Sequence, residues 1–155
     1  MLSKVSPVPA GHHSVTPYLL IGGAGAAIDF YIKAFGAVEV LRLTAPDGRI
    51  GHAEIRIGDS HIMLADEHPE MDFLGPQSRG GTTVSLLIYT ADADTVFAQA
   101  IAAGATELRP LCDQFYGDRS GAVTDPWGHV WSIASRIEEI TSEEIQRRFQ
   151  ELYGD

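Results

Sequence analysis

The chain has 155 residues, 45% of them hydrophobic and 21% charged, and its 11 Lys and Arg against 21 Asp and Glu give a formal charge of -10. That length fits one globular domain or two small modules sharing a core, and the acidic balance opposes nucleic-acid binding, which needs clustered cations. The single cysteine, Cys112, excludes an intrachain disulfide, and no apolar run approaches the roughly 18 residues that suggest a membrane span.

Residues 1–13 carry Pro7, Pro9 and Gly11 and lack the long apolar stretch of a signal peptide, so a loosely held arm and a cytoplasmic location are expected. Residues 15–21 are rich in strand formers and end at Gly22-Gly23. A helix is predicted over 24–35, with Ile28, Tyr31, Ile32 and Phe35 on one stripe and Gly36 as its C-cap. Strands follow at 38–43, 51–57 and 61–65, separated by the turns Pro46-Asp47-Gly48 and Gly58-Asp59-Ser60. The order β-α-β-β-β then recurs: a strand at 83–90, a helix opened by Asp92 and closed at Gly104, a strand within 106–115, and two more at 121–124 and 129–135. Between the halves, 67–82 reads as a polar surface loop, placed to overhang a site. Residues 137–155 end the chain in a helix whose Thr141-Ser142-Glu143-Glu144 fits a capping box, with Ile140 and Ile145 as its staple. Ile145, Phe149 and Leu152 form its apolar stripe.

Side chains alternate along a strand, so the helix-covered face must be the apolar one. Ala53, Ile55, Ile57, Ile62 and Leu64 fit that face, leaving His52, Glu54 and Arg56 on one strand and His61, Met63 and Ala65 on the next to share the other. In the last strand Trp131 and Ile133 suit the helix, leaving Val130, Ser132 and Ala134. A plain solvated surface also accounts for the charged set. Phe115, Tyr116 and Arg119 read either as an aromatic wall with a cationic anchor for a ligand or as part of a loop pinned by an Asp118–Arg119 ion pair, with Tyr116 plugging an edge. Cys112, Trp127 and Trp131 read as structural.

Several motifs, taken together, resemble the vicinal-oxygen-chelate superfamily of glyoxalase I, bleomycin-resistance proteins and extradiol dioxygenases. They are Thr16-Pro17-Tyr18-Leu19, Ala27-Ile28-Asp29-Phe30-Tyr31, Phe35-Gly36-Ala37, Ile57-Gly58-Asp59-Ser60 and Met63-Leu64-Ala65-Asp66. The segments Asp113-Gln114-Phe115-Tyr116-Gly117-Asp118-Arg119 and Asp125-Pro126-Trp127-Gly128-His129 resemble a bacterial glyoxalase-like branch often labelled demethylubiquinone-methyltransferase-like. The resemblance implies an α+β fold: two tandem β-α-β-β-β modules, 14–66 and 83–136, forming a curled mixed-sheet cup with helices outside. It implies a homodimer and a small-molecule ligand lying against Thr16, Tyr18, His52, Glu54, His61, Met63, Ser85, Phe115, Tyr116, Arg119 and Ser132.

Metal-dependent members hold their ion from the first, fourth, fifth and eighth strands. The resemblance puts Thr16, Met63, Ser85 and Ser132 at those positions, where hydroxyls and a thioether replace the imidazole and carboxylate that divalent metals favour. His12 and His13 fall in the arm and His129 in a turn, and a His52–Glu54–His61 cluster is the remaining metal arrangement considered. The expectation is therefore a site without metal or other cofactor that binds a small organic molecule. The alternative is a metal-independent isomerase or lyase with Glu54 or His52 as general base and Tyr116 or Arg119 steadying an oxyanion.

Overall fold

Glycines set the ends of the first helix. In a computed structural model that describes residues 5–154, Gly23 stands at the N-cap with φ 113° and Gly36 at the C-cap with φ 65°, where its N–H reaches the Ile32 carbonyl. Between them α1 (Ala24–Phe35) buries Ala24, Ala27, Ile28, Phe30, Tyr31 and Ala34. The predicted bounds of this helix are the observed ones. Contacts divide the chain into two compact units, Met1–Gly81 and Thr82–Asp155.

In the first unit, β1 (Tyr18–Ile21), β2 (Val38–Thr44), β3 (Ile50–Ile57) and β4 (Ser60–Asp66) form a mixed sheet in the order β1-β4-β3-β2. β1 runs parallel to β4 with Tyr18 opposite Met63, and the other pairs are antiparallel. α1 covers one face, and Ala53, Ile55, Ile57, Ile62 and Leu64 are buried there as the alternation required, joined by Leu19 and Ile21 of β1, a strand apolar throughout whose sequence assigns it no face. Asp66, at the end of β4, ties the layers together: it accepts the amides of Gly23 and Ala24 at the start of α1 and of Ile50 at the start of β3, at 2.7–3.0 Å. β1 is shorter than its sequence suggests. Val15, Thr16 and Pro17 precede it, although the Pro17 carbonyl still accepts the Met63 amide.

The expected loop 67–82 contains a 3-10 turn at Pro69–Met71 and a short helix, α2 (Pro76–Arg79). Glu67 anchors it by accepting from the Gly75 amide and the Ser78 hydroxyl, both at 2.7 Å. Gly75 is required at this crossing, because a Cβ there would lie 2.6 Å from the Leu20 carbonyl oxygen.

The second unit repeats the plan with β5 (Ser85–Tyr89), α3 (Ala93–Ala103), β6 (Thr106–Asp113), β7 (Asp118–Thr124) and β8 (Val130–Arg136), in the order β5-β8-β7-β6. β7 starts three residues before the predicted point: Asp118 pairs with Arg136, and Arg119 with both Asp113 and Ser135. Residues 114–117 thereby become a tight hairpin turn, closed by Gly117 at φ 93°. α4 (Ser142–Tyr153) follows, its first turn capped by the Thr141 hydroxyl, which accepts the Glu144 amide at 3.2 Å. Of the arm expected over 1–13, residues 1–4 lie outside the described residues. No described helix is long and apolar enough to cross a membrane.

Candidate functional site

The face of the first sheet turned away from α1 collects most of the titratable chemistry. Antiparallel register places Glu54 opposite Met63 and Arg56 opposite His61, so Glu54 and His61 are diagonal neighbours on that face. Tyr18 and Leu20 continue it onto β1, where Tyr18 faces Met63. The Tyr18 hydroxyl and His52 Nδ1 are joined at 2.9 Å, and partial burial pushes the Tyr18 phenol above its ordinary value.

Glu54 is only 8% exposed, and such a carboxylate needs a donor. That donor is His12. A turn from the Pro9 carbonyl to the His12 amide, with Gly11 at φ 80°, brings the arm onto the sheet, and His12 Nε2 lies 2.8 Å from Glu54 Oε1. This hydrogen bond is the main reason the His12 imidazole is raised above its ordinary value. The His61 ring stacks on that of His12 at 3.9 Å, with its Nδ1 3.7 Å from Glu54 Oε2. Nδ1 of His61 is buried without a hydrogen-bond partner. His12, Glu54 and His61 thus bring one donor atom each to within 4.8 Å of one another. This differs from the His52–Glu54–His61 arrangement considered from the strands: His52 turns to Tyr18, and His12, expected in a loosely held arm, takes its place. Only a Pro-x-Gly turn preceded His12 in the sequence, and a turn does not say where the chain lands.

Toward the Leu20–Ala65 end, the same face opens into a cavity of about 610 Å3 roofed by His68, Met71 and Phe73 from the connecting segment. Tyr18, Leu20 and Ala65 form its floor. Sequence reasoning identified the overhanging segment but not the three side chains that close it.

The residues anticipated in the second unit are dispersed. Ser85 is exposed and Ser132 buried on their strands. Phe115 packs edge-on against Tyr116 and beside Phe149 and Tyr153 of α4, at ring distances of 5.2–6.4 Å. Arg119 donates to Asp94 of α3 at 2.8 and 2.9 Å and to Asp113 at 3.0 Å. Those pairs raise its guanidinium and lower Asp94. Arg119 therefore lies on the helix side of the sheet with its cation engaged, as the ion-pair alternative had it, though its partners are not Asp118. Asp118 instead accepts the Tyr89 hydroxyl at 2.7 Å, which raises the Tyr89 phenol. With Tyr116 these two residues line a second cavity, of about 830 Å3, that is more open than the first.

Residues 12–133 match the family model of the Glyoxalase/Bleomycin resistance protein/Dioxygenase superfamily. The chain belongs to this superfamily. It is 43% identical over 136 residues to the uncharacterized protein Mb0911c of Mycobacterium bovis, covering 86% of this chain and 90% of that one. It is 31% identical over 126 residues to the Arabidopsis thaliana protein At5g48480, covering 77% and 75%. Among solved structures, TioX from Micromonospora sp. ML1 superposes with a TM-score of 0.63 at 26% identity, covering 83% of this chain and all of that one. The metal positions implied by the superfamily resemblance do not fit a metal here: Thr16 stands outside β1, Met63 offers a thioether, and Ser85 and Ser132 offer neutral hydroxyls.

Proposed function

We propose that this superfamily member binds a small organic molecule on the uncovered face of its first sheet. The observation that carries the reading is the cavity of about 610 Å3 between that face and the 68–73 segment. Its size falls in the range of ligand pockets, roughly 300–1,000 Å3, and its walls combine apolar and aromatic groups with few polar ones. Tyr18, Leu20, Met71 and Phe73 supply contact area, and the Tyr18–His52 pair and His68 supply the polar handles. The chain's charge of -10 favours a cationic or neutral guest over an anionic one. In the same reading the protein acts as a homodimer in the cytoplasm. Exposed apolar residues on β2 (Val38, Val40, Leu41 and Leu43) support self-association, and an unpaired, exposed Cys112 suits a reducing compartment.

A thermal-shift screen of aromatic amines, aromatic aldehydes and α-keto acids tests the proposal. A binder raises the midpoint in proportion to the logarithm of ligand over its Kd. Phe73→Ala, at a half-exposed wall position, is expected to weaken any hit at least about tenfold, while Phe149→Ala on α4 leaves it unchanged. A screen without stabilising compounds, or hits indifferent to Phe73→Ala, defeats the proposal.

A further inference from the structure

We propose that His12, Glu54 and His61 form a binding site for one divalent transition-metal ion of the zinc class. The inference goes beyond the small-molecule reading and does not rest on it.

Two imidazoles and one carboxylate are a donor set suited to Zn2+, Co2+ or Fe2+, and poorly suited to Mg2+ or Ca2+, which prefer all-oxygen shells. None of the three residues occupies one of the four positions, Thr16, Met63, Ser85 and Ser132, that the superfamily resemblance assigns to a metal ion. They come from the arm, β3 and β4.

The donor spacing, before any ring rotation, is near what such an ion needs. Metal–nitrogen and metal–oxygen bonds of about 2.0–2.2 Å at tetrahedral angles set donors roughly 3.4 Å apart. Oε1 of Glu54 lies 2.8 Å from His12 Nε2 and Oε2 lies 3.7 Å from His61 Nδ1. Both nitrogens therefore approach one carboxylate, each from a different ring of the stack. The two rings are stacked at 3.9 Å with planes 22° apart, so an ion in the plane of both imidazoles requires one ring to rotate out of the stack.

The hydrogen-bond inventory points the same way. His12 Nε2 is satisfied by Glu54, but His61 Nδ1 is buried and unpartnered, at 3.7 Å from an oxygen too far to accept a proton from it. A buried ring nitrogen facing a carboxylate without a hydrogen bond is costly. A cation between the two groups would use the lone pair of His61 and neutralise the charge of Glu54. With three protein ligands, a fourth position stays open for water or for an oxygen or nitrogen of a bound molecule, the arrangement of catalytic rather than structural zinc sites.

The test uses the untagged full-length chain stripped with chelator. It is titrated with Co2+, followed by visible absorption, and with Zn2+, followed by calorimetry. One ion per chain is expected, with a cobalt spectrum of nitrogen–oxygen ligation. His12→Ala, Glu54→Gln and His61→Ala should each weaken binding at least about tenfold, while His13→Ala binds like the parent. His12 precedes β1 and takes part in no ladder, and urea unfolding of metal-free His12→Ala beside the metal-free parent measures what loss of the Glu54 donor costs the fold, apart from metal affinity. Absence of saturable binding, or affinity unchanged in His12→Ala, overturns the site and leaves a plain His12–Glu54 ion pair with His61 stacked on it. Neither result bears on the Phe73→Ala outcome, so the two proposals fail independently.

Discussion

The two units share one ladder and furnish it differently. Ser132 of β8 faces Ala122 of β7, as Met63 of β4 faces Glu54 of β3. One row away, Thr124 faces Val130 where Arg56 faces His61, and Ser120 faces Ala134, two residues along from Ala122, where β3 carries His52. Each helix start is also tied to the end of the last strand, by the Asp66 carboxylate in the first unit and by the Ser135 hydroxyl, at 2.9 Å from the Ala93 amide, in the second. The repeated backbone thus fixes where side chains point, and substitution alone decides whether that face carries donors and acids or small, chemically quiet groups.

The largest expected effect lies where the ladders themselves diverge. Both edge strands bulge at the same place, at Val40 in β2 and Leu108 in β6, but their second irregularities differ: between Leu43 and Thr44 the extra residue is Gly51 of β3, whereas β6 sets Pro110 and Leu111 against Gly121 alone. The doubled strand folds in over Gly121, where a Cβ would lie 2.9 Å from the Leu111 backbone and 2.8 Å from the Phe97 ring of α3. Its counterpart by register, Ala53 opposite Leu64, keeps its methyl fully buried under α1. Gly121→Ala is expected to cost about 3 kcal/mol because backbone cannot step aside, whereas Ala53→Gly costs about 1 kcal/mol. Urea unfolding followed by tryptophan fluorescence measures the first, since Trp127 and Trp131 both lie in the second unit. Equal midpoints for Gly121→Ala and the parent would show that the crowding is absent.

Next comes the aspartate at the heart of each unit. Asp125 is buried and accepts from the amides of Trp127 and His129 and from Trp131 Nε1, at 2.9–3.0 Å. Asp66 gathers three backbone amides instead. Removing either strands buried donors, so Asp125→Ala and Asp66→Ala should each destabilise by about 2 kcal/mol. Asp125→Ala alone should also shift the emission of Trp131, whose indole N–H loses its acceptor. An unshifted spectrum would break the distinction.

Much of this was legible before any coordinates. The bounds of α1, the cap at Gly104, the Thr141 cap and the helix-facing apolar sets of β3, β4 and β8 follow from periodicity and from capping residues, because these signals are local. The burial of Glu54, Ser132 and Ala134 on the opposite face does not. What escaped was set by long-range placement. His12 reaches Glu54 across 42 positions of chain, and Met71 and Phe73 cover Tyr18 through a crossing that depends on Gly75. Arg119 reads as a loop residue when the strand is expected from 121; with β7 starting at Asp118, alternation sets Arg119 on the helix-covered face with Gly121 and Val123, where Asp94 and Asp113 receive it. Alternation locates a face, but it cannot name what comes to lie on it from outside the strand.

A smaller difference separates the helix starts. α3 opens on Asp92, whose carboxylate accepts the Thr95 amide at 3.0 Å and its hydroxyl at 2.7 Å, and these bonds hold the carboxyl below its ordinary value. α1 opens on Gly23 with no side-chain cap. Asp92→Ala should therefore cost about 1 kcal/mol. In the first unit Gly23→Ser should bring no gain, since φ 113° is strained for any side chain. A stabilised Gly23→Ser, measured by urea unfolding followed by far-ultraviolet circular dichroism, would mean that the missing cap matters more than backbone strain.

The smallest expected effect concerns α4, which has no counterpart in the first unit. Its Glu144 carboxylate receives Arg147 through two nitrogens at 2.8 Å and Arg148 Nε at 2.9 Å, and these guanidinium groups, Arg147 first, bring its pKa down to about 2. Arg148 also reaches Glu138 and the Phe115 carbonyl, linking the helix to its own unit. A carboxyl lowered on folding contributes stability that is fully present above its ordinary value of 4.5 and is lost as pH falls through the lowered one. The contribution is modest because the pairs are solvent-facing and screened by salt. Amide exchange in α4 should therefore be slower in the parent than in Glu144→Gln at pH 6, with the difference shrinking from about pH 4.5 downward and vanishing near pH 2. A gap that persists undiminished at pH 2 would mean that Glu144 acts on α4 through packing rather than through its charge.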